Sequence, residues 1–583
     1  MTQPPTVSPE AKFAATYEAL KKIRESKTCK LQPTPMLRTD ILDLSGKLVP
    51  LKIRYYQVQG IMHLLMLRRM ILGDGTGIGK TLQALAALCY LWAKETNNRV
   101  IVVSPKSAIR QWASEINRFT TGIKVFVVAG KPEDERKVIW DAWAKYKGPE
   151  KPLLIVNYHL LVRDWDAGAS IGKDAKGNPD PKKVTLGWLD QLTASVQDVV
   201  VIYDEATAFK TPGIKTWQTC GFLSRRAHRC YGLTATLLKN NLIEGFGIYK
   251  VINPQVFTNK TAFIRDYCHT VLQQVNAGRK IPIIVGYKNL DKFRERIDPH
   301  FLGRPKHAVS DELPTLITKE RICELTPAEE VKYKEALSGV LELGDGDIKD
   351  FQEHKAFVSL IYCQQVVNSL SMLRYSKGDE VFTGLFKDES IKVADLGSKE
   401  AMLMDLLAEE LDGEKVIVYT RFASLVPRLQ KILAKNGIKN VCITGKQNEK
   451  QRGEAQAAFQ DVESDTKVIF ITDAGSEAIN LQAASAMIFY DAPWSWGNYV
   501  QLLGRPIRIG SPHQHVNVFH LIAERRGEKA KERKTIDRYV LELLDKKKDL
   551  IDKVIGEAAV GALEFDNESS TKALVRKLQG KDS

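Results

Sequence analysis

Cysteines and long apolar runs are both scarce in this sequence, and each scarcity excludes a class of protein. The eight cysteines are spread over 583 residues without a CxxC pair, which excludes a disulfide scaffold and gives no zinc signature. A membrane span needs about 18–20 predominantly apolar residues, but the best candidate, residues 61–72, contains His63, Arg68 and Arg69. The first residues lack the basic start and apolar run of a secretory signal. We therefore expect a soluble, intracellular protein with no membrane partner.

Acidic residues are outnumbered by basic ones, which indicates a partner of opposite charge. The chain has 85 lysines and arginines against 70 aspartates and glutamates, a net charge of +15. Such an excess favours a polyanionic partner, most often nucleic acid, although a merely basic enzyme fits the composition equally well. At about 100–200 residues per domain, a chain of this length should contain three or four domains.

Short apolar segments rich in β-branched residues form two groups along the chain. They are residues 99–104 (RVIVVS), 153–157 (LLIVN), 199–203 (VVVIY), 415–419 (KVIVY) and 467–471 (KVIFI). Strands that are apolar throughout and separated by helices are typical of parallel sheets covered on both faces. The predicted fold class is therefore α/β, with one doubly wound lobe within residues 50–240 and another within residues 396–525.

A glycine-rich turn between a strand and a helix predicts a nucleotide phosphate loop. Residues 70–81 read MILGDGTGIGKT, and an apolar helical segment follows them. Gly77 and Gly79 allow backbone amides to approach phosphate oxygens, Lys80 can reach the β and γ phosphates, and Thr81 can ligate Mg²⁺. The predicted nucleotide-binding residues are Asp74, Gly75, Thr76, Gly77, Ile78, Gly79, Lys80 and Thr81. The alternative is a glycine-rich turn that binds nothing.

Two adjacent carboxylates follow the apolar segment 199–203 directly. Asp204 and Glu205 would lie at the carboxyl end of a parallel strand, where ligand sites of α/β folds form. Asp204, with Thr81, would hold the metal ion, and Glu205 would orient and deprotonate the attacking water. Alone, such a pair is often a helix cap, but together with Lys80 it predicts nucleotide hydrolysis.

Two arginines lie about 300 residues farther along, in the sequence QLLGRPIRIG. Arg505 and Arg508 are three positions apart in a glycine-flanked segment, which suits charge stabilisation on a transferring phosphoryl group. Such arginines can contribute about 10³–10⁵ in rate. If they come from the opposite lobe, hydrolysis requires the lobes to close. The alternative is that they are ordinary surface or interface arginines.

Together, these segments resemble the superfamily-two helicase-like ATPases, and most closely the SWI/SNF-like DNA translocase family. Further matching segments are residues 54–60 (RYYQVQG), 104–115 (SPKSAIRQWASE), 232–241 (GLTATLLKNN), 419–422 (YTRF) and 471–484 (ITDAGSEAINLQAA). The resemblance implies two RecA-like lobes with helical insertions and a C-terminal bracing helix. It also implies ATP and Mg²⁺ as cofactors and DNA as the partner.

The resemblance assigns roles to further residues. It places Gln57 against the adenine base, and Gln501 leads into the arginines as a further catalytic position. It implies DNA contacts by Lys106, Ser107, Thr234, Thr236, Arg421, Thr472 and Gly475. In the family, the segment containing Thr234 and Thr236 also couples the ATP site to the DNA site.

The sequence departs from the family pattern at several positions. Thr207 stands where histidine is commoner, which puts histidine-mediated coupling at that position in doubt. Gly75 replaces a glutamate, and Ser476 and Ala478 replace glycines. No departure removes a catalytic group, so the pattern suggests a divergent branch of the family.

The predicted boundaries follow from the apolar segments and the resemblance. They are a polar extension over 1–45, a first ATP-binding lobe over 46–245 with a loop insert at 165–195, helical protrusions and a linker over 246–395, a second lobe over 396–525, and a bracing helix with a polar tail over 526–583.

We interpret the chain as an ATP-dependent motor that tracks on double-stranded DNA and remodels protein–DNA or branched structures. The first alternative is a true strand-separating helicase acting on forks, for which a short hairpin within 246–395 could serve. The second is a non-hydrolysing DNA clamp. The chain carries no recognisable chromatin-reading segment, which favours a monomer in the cytoplasm of a bacterium or a bacteriophage-infected cell, with replication or recombination proteins as candidate partners.

Overall fold

The computed structural model describes most of the chain, and it divides into two units. The described residues are 9–42, 47–94, 98–167, 170–173, 179–185, 187–238, 241–276, 279–304, 313–338, 340–342, 348–350, 356–377, 380–383, 396–461, 463–473, 479–508, 511–527 and 533–555. The first unit comprises residues 1–310 and 551–561, and the second comprises residues 311–550 and 562–583.

The first unit contains a large parallel sheet, three two-stranded antiparallel sheets and eleven α-helices among its described residues. Its strands are β1 (Asp40–Leu42), β2 (Leu48–Pro50), β3 (Arg69–Leu72), β4 (Arg99–Ser104), β5 (Ile123–Val128), β6 (Lys151–Asn157), β7 (Ser170–Lys173), β8 (Pro179–Thr185), β9 (Val199–Asp204), β10 (Arg229–Leu233), β11 (Cys268–Asn276), β12 (Arg279–Tyr287) and β13 (Phe301–Leu302). Its helices are α1 (Pro9–Glu25), α2 (Tyr55–Met66), α3 (Lys80–Lys94), α4 (Ile109–Phe119), α5 (Glu133–Ala144), α6 (Tyr158–Asp166), α7 (Trp188–Ser195), α8 (Lys215–Arg226), α9 (Leu242–Ile252), α10 (Lys260–Tyr267) and α11 (Leu290–Ile297).

The strand order of the first sheet determines where its functional loops meet. Seven strands run in the order β13-β3-β10-β9-β4-β6-β5, and every described pairing is parallel. The apolar residues of β4, β6 and β9 are buried because helices cover both faces of the sheet. Since β3, β10 and β9 are neighbours, the loops that follow them lie at one edge of the sheet, where α/β ligand sites form.

The second unit repeats the parallel-sheet architecture. Its strands are β14 (Thr315–Glu324), β15 (Val340–Glu342), β16 (Ile348–Asp350), β17 (Arg374–Lys377), β18 (Glu380–Thr383), β19 (Val416–Tyr419), β20 (Asn440–Ile443), β21 (Val468–Ile471), β22 (Ala486–Phe489) and β23 (His515–Glu524). The helices that begin in it are α12 (Pro327–Ser338), α13 (Ala356–Asn368), α14 (Ser398–Glu409), α15 (Val426–Lys435), α16 (Glu449–Gln460), α17 (Trp496–Leu503) and α18 (Ile536–Ile555). Six parallel strands run in the order β14-β23-β22-β19-β21-β20. The predicted pair of doubly wound α/β lobes is therefore confirmed.

The region 246–395 differs from the expected block of helical protrusions and linker. The division between the units falls at residue 310, within this region. Strand β14 pairs with β23 along its whole length and is the edge of the second sheet. Its charged residues Lys319, Glu320 and Arg321 interrupt the apolar ones, so a search for uninterrupted apolar segments overlooks it. The hairpin β11–β12 also lies in this region.

The insert expected as a loop at 165–195 contains regular structure. Strands β7 and β8 pair antiparallel within it, and α7 closes it. At the other end of the chain, the expected C-terminal helix is present as α18. Its first turn is fixed in the second unit, where the Tyr333 hydroxyl accepts a hydrogen bond from the backbone N–H of Ile536 at 2.9 Å.

Candidate nucleotide and DNA sites

The loop between β3 and α3 has the backbone conformation that its glycines allow. Gly77 and Gly79 have φ angles of 83° and 87°, in the left-handed region that other residues rarely adopt. A Cβ on Gly79 would lie 2.5 Å from the Gln57 side chain, so Gly79 also permits this close approach. Gln57 donates to the carbonyl oxygen of Ile78 at 3.2 Å, which places the predicted adenine-reading residue directly against the loop.

The ammonium group of Lys80 is directed into the loop that precedes it. Its Nζ donates to the backbone oxygens of Asp74 at 2.7 Å and Gly75 at 3.1 Å. Lys80 is the first residue of α3 and remains partly exposed. Thr76, in the loop, and Thr81, the second residue of α3, are also partly exposed. The helix N-terminus, the loop amides and this ammonium group together suit a phosphate group.

The carboxylate of Asp74 contacts an arginine instead of facing the loop. Arg304 donates to both of its oxygens, through Nε at 2.9 Å and Nη2 at 2.6 Å, and Gln83 adds a third bond at 3.1 Å. Asp74 is fully buried. The side chain predicted to bind nucleotide therefore supports the loop from behind, while its backbone oxygen faces Lys80.

Arg304 is the main residue of this site to which the sequence assigned no role. Besides Asp74, its guanidinium donates to the backbone oxygen of Tyr56 and to the side chain of Gln59, both at 2.7 Å. Its own backbone oxygen accepts from the N–H of Gly75 at 3.0 Å. A single residue thus connects the helix that carries Gln57 to the start of the phosphate loop. The partners of Arg304 are 221 to 248 residues away, so no local pattern in the sequence connects them.

Asp204 ends β9 beside the phosphate loop, and burial raises the pKa of its carboxyl group to about 6. The indole N–H of Trp112 donates to this carboxylate at 2.8 Å and lowers the pKa in part, as does the charge of Lys80. The Tyr158 hydroxyl holds the backbone oxygen of Asp204 at 2.7 Å. Trp112 and Lys80 offset only part of the cost of burying the negative charge of Asp204. A bound cation would offset the rest.

Glu205 adopts a left-handed conformation, with a φ angle of 51°, which turns the chain sharply after β9. Its carboxylate accepts from the Thr207 hydroxyl at 2.5 Å and lies 3.3 Å from the Thr234 hydroxyl. Thr207, which replaces the commoner histidine, therefore contacts the predicted general base directly. The backbone N–H of Thr234 donates to the backbone oxygen of Leu72 at the end of β3. The segments that follow β3, β9 and β10 therefore meet at the carboxyl edge of the first sheet.

Thr234 and Thr236 are not placed to contact DNA through their side chains. They are 1% and 0% exposed, respectively. The Thr234 hydroxyl approaches the backbone oxygen of Thr236 at 2.9 Å and accepts from its N–H at 3.1 Å. Because the chain packs closely after β10, DNA cannot reach these two side chains. Thr234 instead contacts Glu205, and Thr236 contacts Thr234.

The first predicted DNA-contacting motif is more accessible. Lys106 and Ser107 form a short 3₁₀ helix, Lys106–Ala108, immediately after β4. Lys106 is exposed, and Ser107 is partly buried. A lysine with this exposure at the carboxyl edge of the sheet can reach a phosphate backbone.

In the second unit, the predicted DNA contacts differ in accessibility. Arg421 is partly buried, donates to Gln364 at 2.9 Å and lies 5.7 Å from the ring centroid of Trp494. Thr472 follows β21 and is 3% exposed. Gly475 lies outside the described residues.

The two arginines are also placed differently. Arg505 is 8% exposed and donates to the backbone oxygen of Ile479 at 3.3 Å. Arg508 is partly exposed, and its Nε donates to Gly504 at 3.2 Å. Gln501 lies on α17 and is also partly exposed. Arg508 is therefore the more accessible of the two arginines within its own unit.

The donor set fits the metal and nucleotide that the motifs imply. Thr81 and Asp204 offer a hydroxyl and a carboxylate, and oxygen ligands are those that Mg²⁺ prefers, with waters and phosphate oxygens completing its shell. Elsewhere among the described residues, no group of three or more histidine, cysteine or acidic side chains could hold a metal ion.

All eight cysteines are free thiols. None of the described helices combines the length and apolar character required to cross a bilayer.

Comparison with known proteins identifies two family domains. The sequence matches the SNF2-related domain over residues 56–375, more than half of the chain. It matches the helicase conserved C-terminal domain over residues 398–510.

Individual relatives are distant and longer. An uncharacterized ATP-dependent helicase of Mycoplasma pneumoniae is 23% identical, over 87% of this chain and 42% of the relative. Transcription regulatory protein SNF2 of Saccharomyces cerevisiae is 24% identical, over 93% of this chain and 30% of the relative. The chain thus spans less than half the length of these relatives. The Sulfolobus solfataricus SWI2/SNF2 ATPase core in complex with dsDNA is 18% identical over 94% of this chain and 98% of that one, with a TM-score of 0.37, which is too low to carry a structural argument.

Proposed function

The chain belongs to the SNF2-related family, and from that premise we propose that it is an ATP-dependent motor that tracks on double-stranded DNA and remodels protein–DNA or branched DNA structures. The observation that supports this most strongly is the convergence of Lys80, Asp204 and Glu205 at one edge of a parallel sheet. These are the groups that phosphoryl transfer to water requires.

Each group has a separate task in hydrolysis. Bound ATP and Mg²⁺ supply the transferring phosphoryl group and the cation that neutralises its charge. Lys80 would exchange its loop carbonyl partners for phosphate oxygens, and Thr81 and Asp204 would hold the cation. Glu205, oriented by the Thr207 hydroxyl, accepts the proton of the attacking water.

The arginines would complete the reaction from the second unit. In this proposal, Arg508 and Arg505 stabilise the charge of the transition state, and Gln501 helps to position them. Closure of the two units would then depend on ATP, and reopening after hydrolysis would move the DNA contacts forward. Lys106, Ser107 and Arg421 are the proposed DNA contacts, whereas Thr472 is as buried as Thr234 and Thr236. Phosphate contacts dominate such binding, so affinity should fall steeply with salt and show little sequence preference.

Steady-state ATP hydrolysis tests the proposal, with no nucleic acid, duplex DNA, single-stranded DNA, forked DNA and RNA compared in parallel. Strong stimulation by plain duplex is the expected result. Stimulation only by forks or single strands would favour a branch-processing helicase over a duplex translocase. Absence of hydrolysis under all conditions would contradict the proposal and leave a DNA clamp.

We propose a monomer that acts in the cytoplasm of a bacterium or a bacteriophage-infected cell, alongside replication or recombination proteins. Sedimentation of the purified chain tests the monomeric state, and a stable dimer would contradict it.

A further inference from the structure

Helix α1 is packed onto the first unit, although its segment reads only as a polar extension in the sequence. Leu20 is 0% exposed. The Phe13 ring stacks on His300 with 5.1 Å between the ring centroids, and the Tyr17 hydroxyl donates to the carboxylate of Asp298. These contacts fix α1 beside the residues that lead into β13.

Arg24, in the last turn of α1, joins two parts of the first unit that are far apart in the sequence. Its Nε donates to Nε2 of His63 on α2 at 3.1 Å. Its Nη1 donates to the carboxylate of Asp298 at 2.8 Å, and its Nη2 donates to the backbone oxygens of Asp298 at 2.9 Å and Phe301 at 2.8 Å. One guanidinium group therefore holds α2 against the entry to β13.

His63 accepts this bond because its ring is neutral. The imidazole is 0% exposed, and burial lowers its pKa to about 4. Since Nε2 accepts from Arg24, the ring proton lies on Nδ1, which donates to the backbone oxygen of Gln59 at 2.7 Å. A neutral ring in this tautomer meets a guanidinium without charge repulsion, so the contact is present at neutral pH.

The side chain of Gln59 connects the end of α1 with Arg304. Its amide nitrogen donates to the backbone oxygens of Arg24 at 3.0 Å and Ser26 at 2.8 Å, and its amide oxygen accepts from Arg304 at 2.7 Å. Backbone oxygens only accept and a guanidinium only donates, so the amide fits in this orientation alone. Gln59 is 3% exposed, which keeps water from competing for these bonds.

Arg304 extends the connection to the phosphate loop. Its guanidinium binds the carboxylate of Asp74, whose backbone oxygen accepts from Lys80, and its own backbone oxygen accepts from the N–H of Gly75. Strand β13 also pairs in parallel with β3, which leads into the same loop. Arg24 thus holds the start of β13, and Arg304, just after it, holds the loop.

From these contacts we propose that Arg24 is a positioning residue for ATP binding, which acts on the phosphate loop through Gln59 and Arg304 and not by contact with the nucleotide. The proposal rests on the proposed function only in taking this loop as the ATP site. A loop that is already held in its binding conformation loses less conformational freedom when ATP binds, so its affinity is higher. Asp204 and Glu205 belong to β9 and the turn after it, so turnover of bound ATP does not depend on Arg24.

Arg24→Ala in the full-length chain tests the proposal. The Kd of a fluorescent ATP analogue is measured by titration, and KM and kcat are measured with duplex DNA on the same preparation. One hydrogen bond contributes a factor of about two to ten to a binding equilibrium, so Kd and KM should rise about fivefold while kcat stays within about twofold. Lys22→Ala is the matched control, because it removes the same charge from an exposed position of the same helix. The control should bind the analogue with wild-type affinity.

A double-mutant cycle shows whether Arg24 acts through Arg304. In the Arg304→Lys background the support of the loop is already weakened, so adding Arg24→Ala should raise Kd by less than about twofold. A further increase of about fivefold would mean that the two residues act independently, and it would overturn the proposal.

Thermal unfolding separates positioning from stability. An Arg24→Ala variant with a lower unfolding temperature but a wild-type Kd would contradict the proposal, since the residue would then serve stability alone. If this variant does not fold, Gln59→Met tests the same connection, because methionine has a similar volume and lacks the amide. This second variant should weaken ATP binding about fivefold as well, and unchanged affinity would count against the proposal.

The titration also distinguishes this proposal from the motor proposal. If no DNA stimulates hydrolysis, the motor proposal fails, but the Kd values still decide the role of Arg24. If the wild type hydrolyses ATP with duplex DNA and Arg24→Ala has the same Kd, the motor proposal stands and the role proposed for Arg24 is wrong. If the wild-type chain does not bind the ATP analogue, both proposals fail.

Discussion

Two lysines, one in each unit, stand at the beginning of a helix, but their surroundings give them different tasks. Lys80 begins α3, is partly exposed and donates to two carbonyls of a glycine-rich loop. Lys399, in the first turn of α14, is 0% exposed and forms a 2.6 Å ion pair with Asp537. The residue type and the helix position are thus shared, and only the open loop makes one of them available to a ligand.

The acidic residues at the strand ends extend this comparison. Burial raises the pKa of Asp204 in the first unit and of Asp491 in the second, each to about 6. Asp204 keeps part of its surface accessible, whereas Asp491 is 1% exposed. A perturbed carboxyl group therefore does not by itself identify a catalytic site, since access for the ligand must accompany it.

The largest effect should come from Lys80→Ala. Loss of the ammonium group removes charge stabilisation from the transferring phosphate, so ATP turnover should fall by about 10³-fold or more. The thermal unfolding temperature should change little, because Lys80 is partly exposed and its described hydrogen bonds are to two backbone oxygens of the loop. Lys94→Ala, in the last turn of the same helix, should retain wild-type turnover. If the Lys80 variant hydrolysed ATP at the wild-type rate, Lys80 would not be the phosphate-binding lysine that this comparison makes it.

The opposite outcome is expected for Lys399→Ala. This substitution leaves the Asp537 carboxylate buried without its cation, and breaking a buried pair costs about 3–5 kcal/mol. Chemical denaturation followed by tryptophan fluorescence should show this loss in the free energy of unfolding of the second unit. Lys450→Ala, at an exposed pair with Glu454, is the control and should unfold like the wild type. An equally stable Lys399 variant would show that the ion pair is not structural.

A smaller effect should follow from Arg304→Lys, which tests whether support of the loop matters for binding. Lysine keeps the charge but cannot make two bonds to Asp74 while it also contacts Tyr56 and Gln59. The KM for ATP should rise about tenfold with a smaller change in kcat, because the loop is less well positioned before binding. Direct titration with a fluorescent ATP analogue should show the same weakening.

Arg265→Lys is the matched control for this experiment. Arg265 is exposed and pairs only with the neighbouring Asp266 among its described ionic partners. The control should leave ATP affinity unchanged. Equal KM values for the Arg304 variant and the wild type would mean that Arg304 serves stability alone.

The smallest effect concerns the pH dependence of hydrolysis. Burial disfavours the charged form of Asp204, so its carboxylate forms as the pH rises through about 6, and hydrolysis should fall below that pH. The Trp112 indole stabilises the carboxylate, so Trp112→Phe should raise the pKa and move the acidic limb of the profile to higher pH, by less than about one unit.

Trp143→Phe provides the control for that profile. Trp143 is as fully buried as Trp112, and its indole nitrogen has no hydrogen-bond partner in the described structure. The loss of volume is the same, so its profile should coincide with that of the wild type. A shift of equal size in both variants would attribute the effect to packing and not to the hydrogen bond.

Local patterns in the sequence determined much of the fold and the centre of the site. The glycine spacing before Lys80 and the apolar strand before Asp204 predicted both the elements and their chemistry, because each signal lies within about twelve consecutive residues. The two parallel sheets followed from apolar segments buried on both faces. Strand β14 was missed, since Lys319, Glu320 and Arg321 interrupt its apolar residues.

The tertiary structure decided what each side chain contacts. Arg304 and Asp74 are 230 positions apart, and Trp112 and Asp204 are 92 apart, so no local pattern connects them. Burial of Thr234 and Thr236, the partners of Lys399 and those of Arg24 depend likewise on how distant segments pack. The sequence determined which chemical groups the protein has, and only packing decided which of them a ligand can reach.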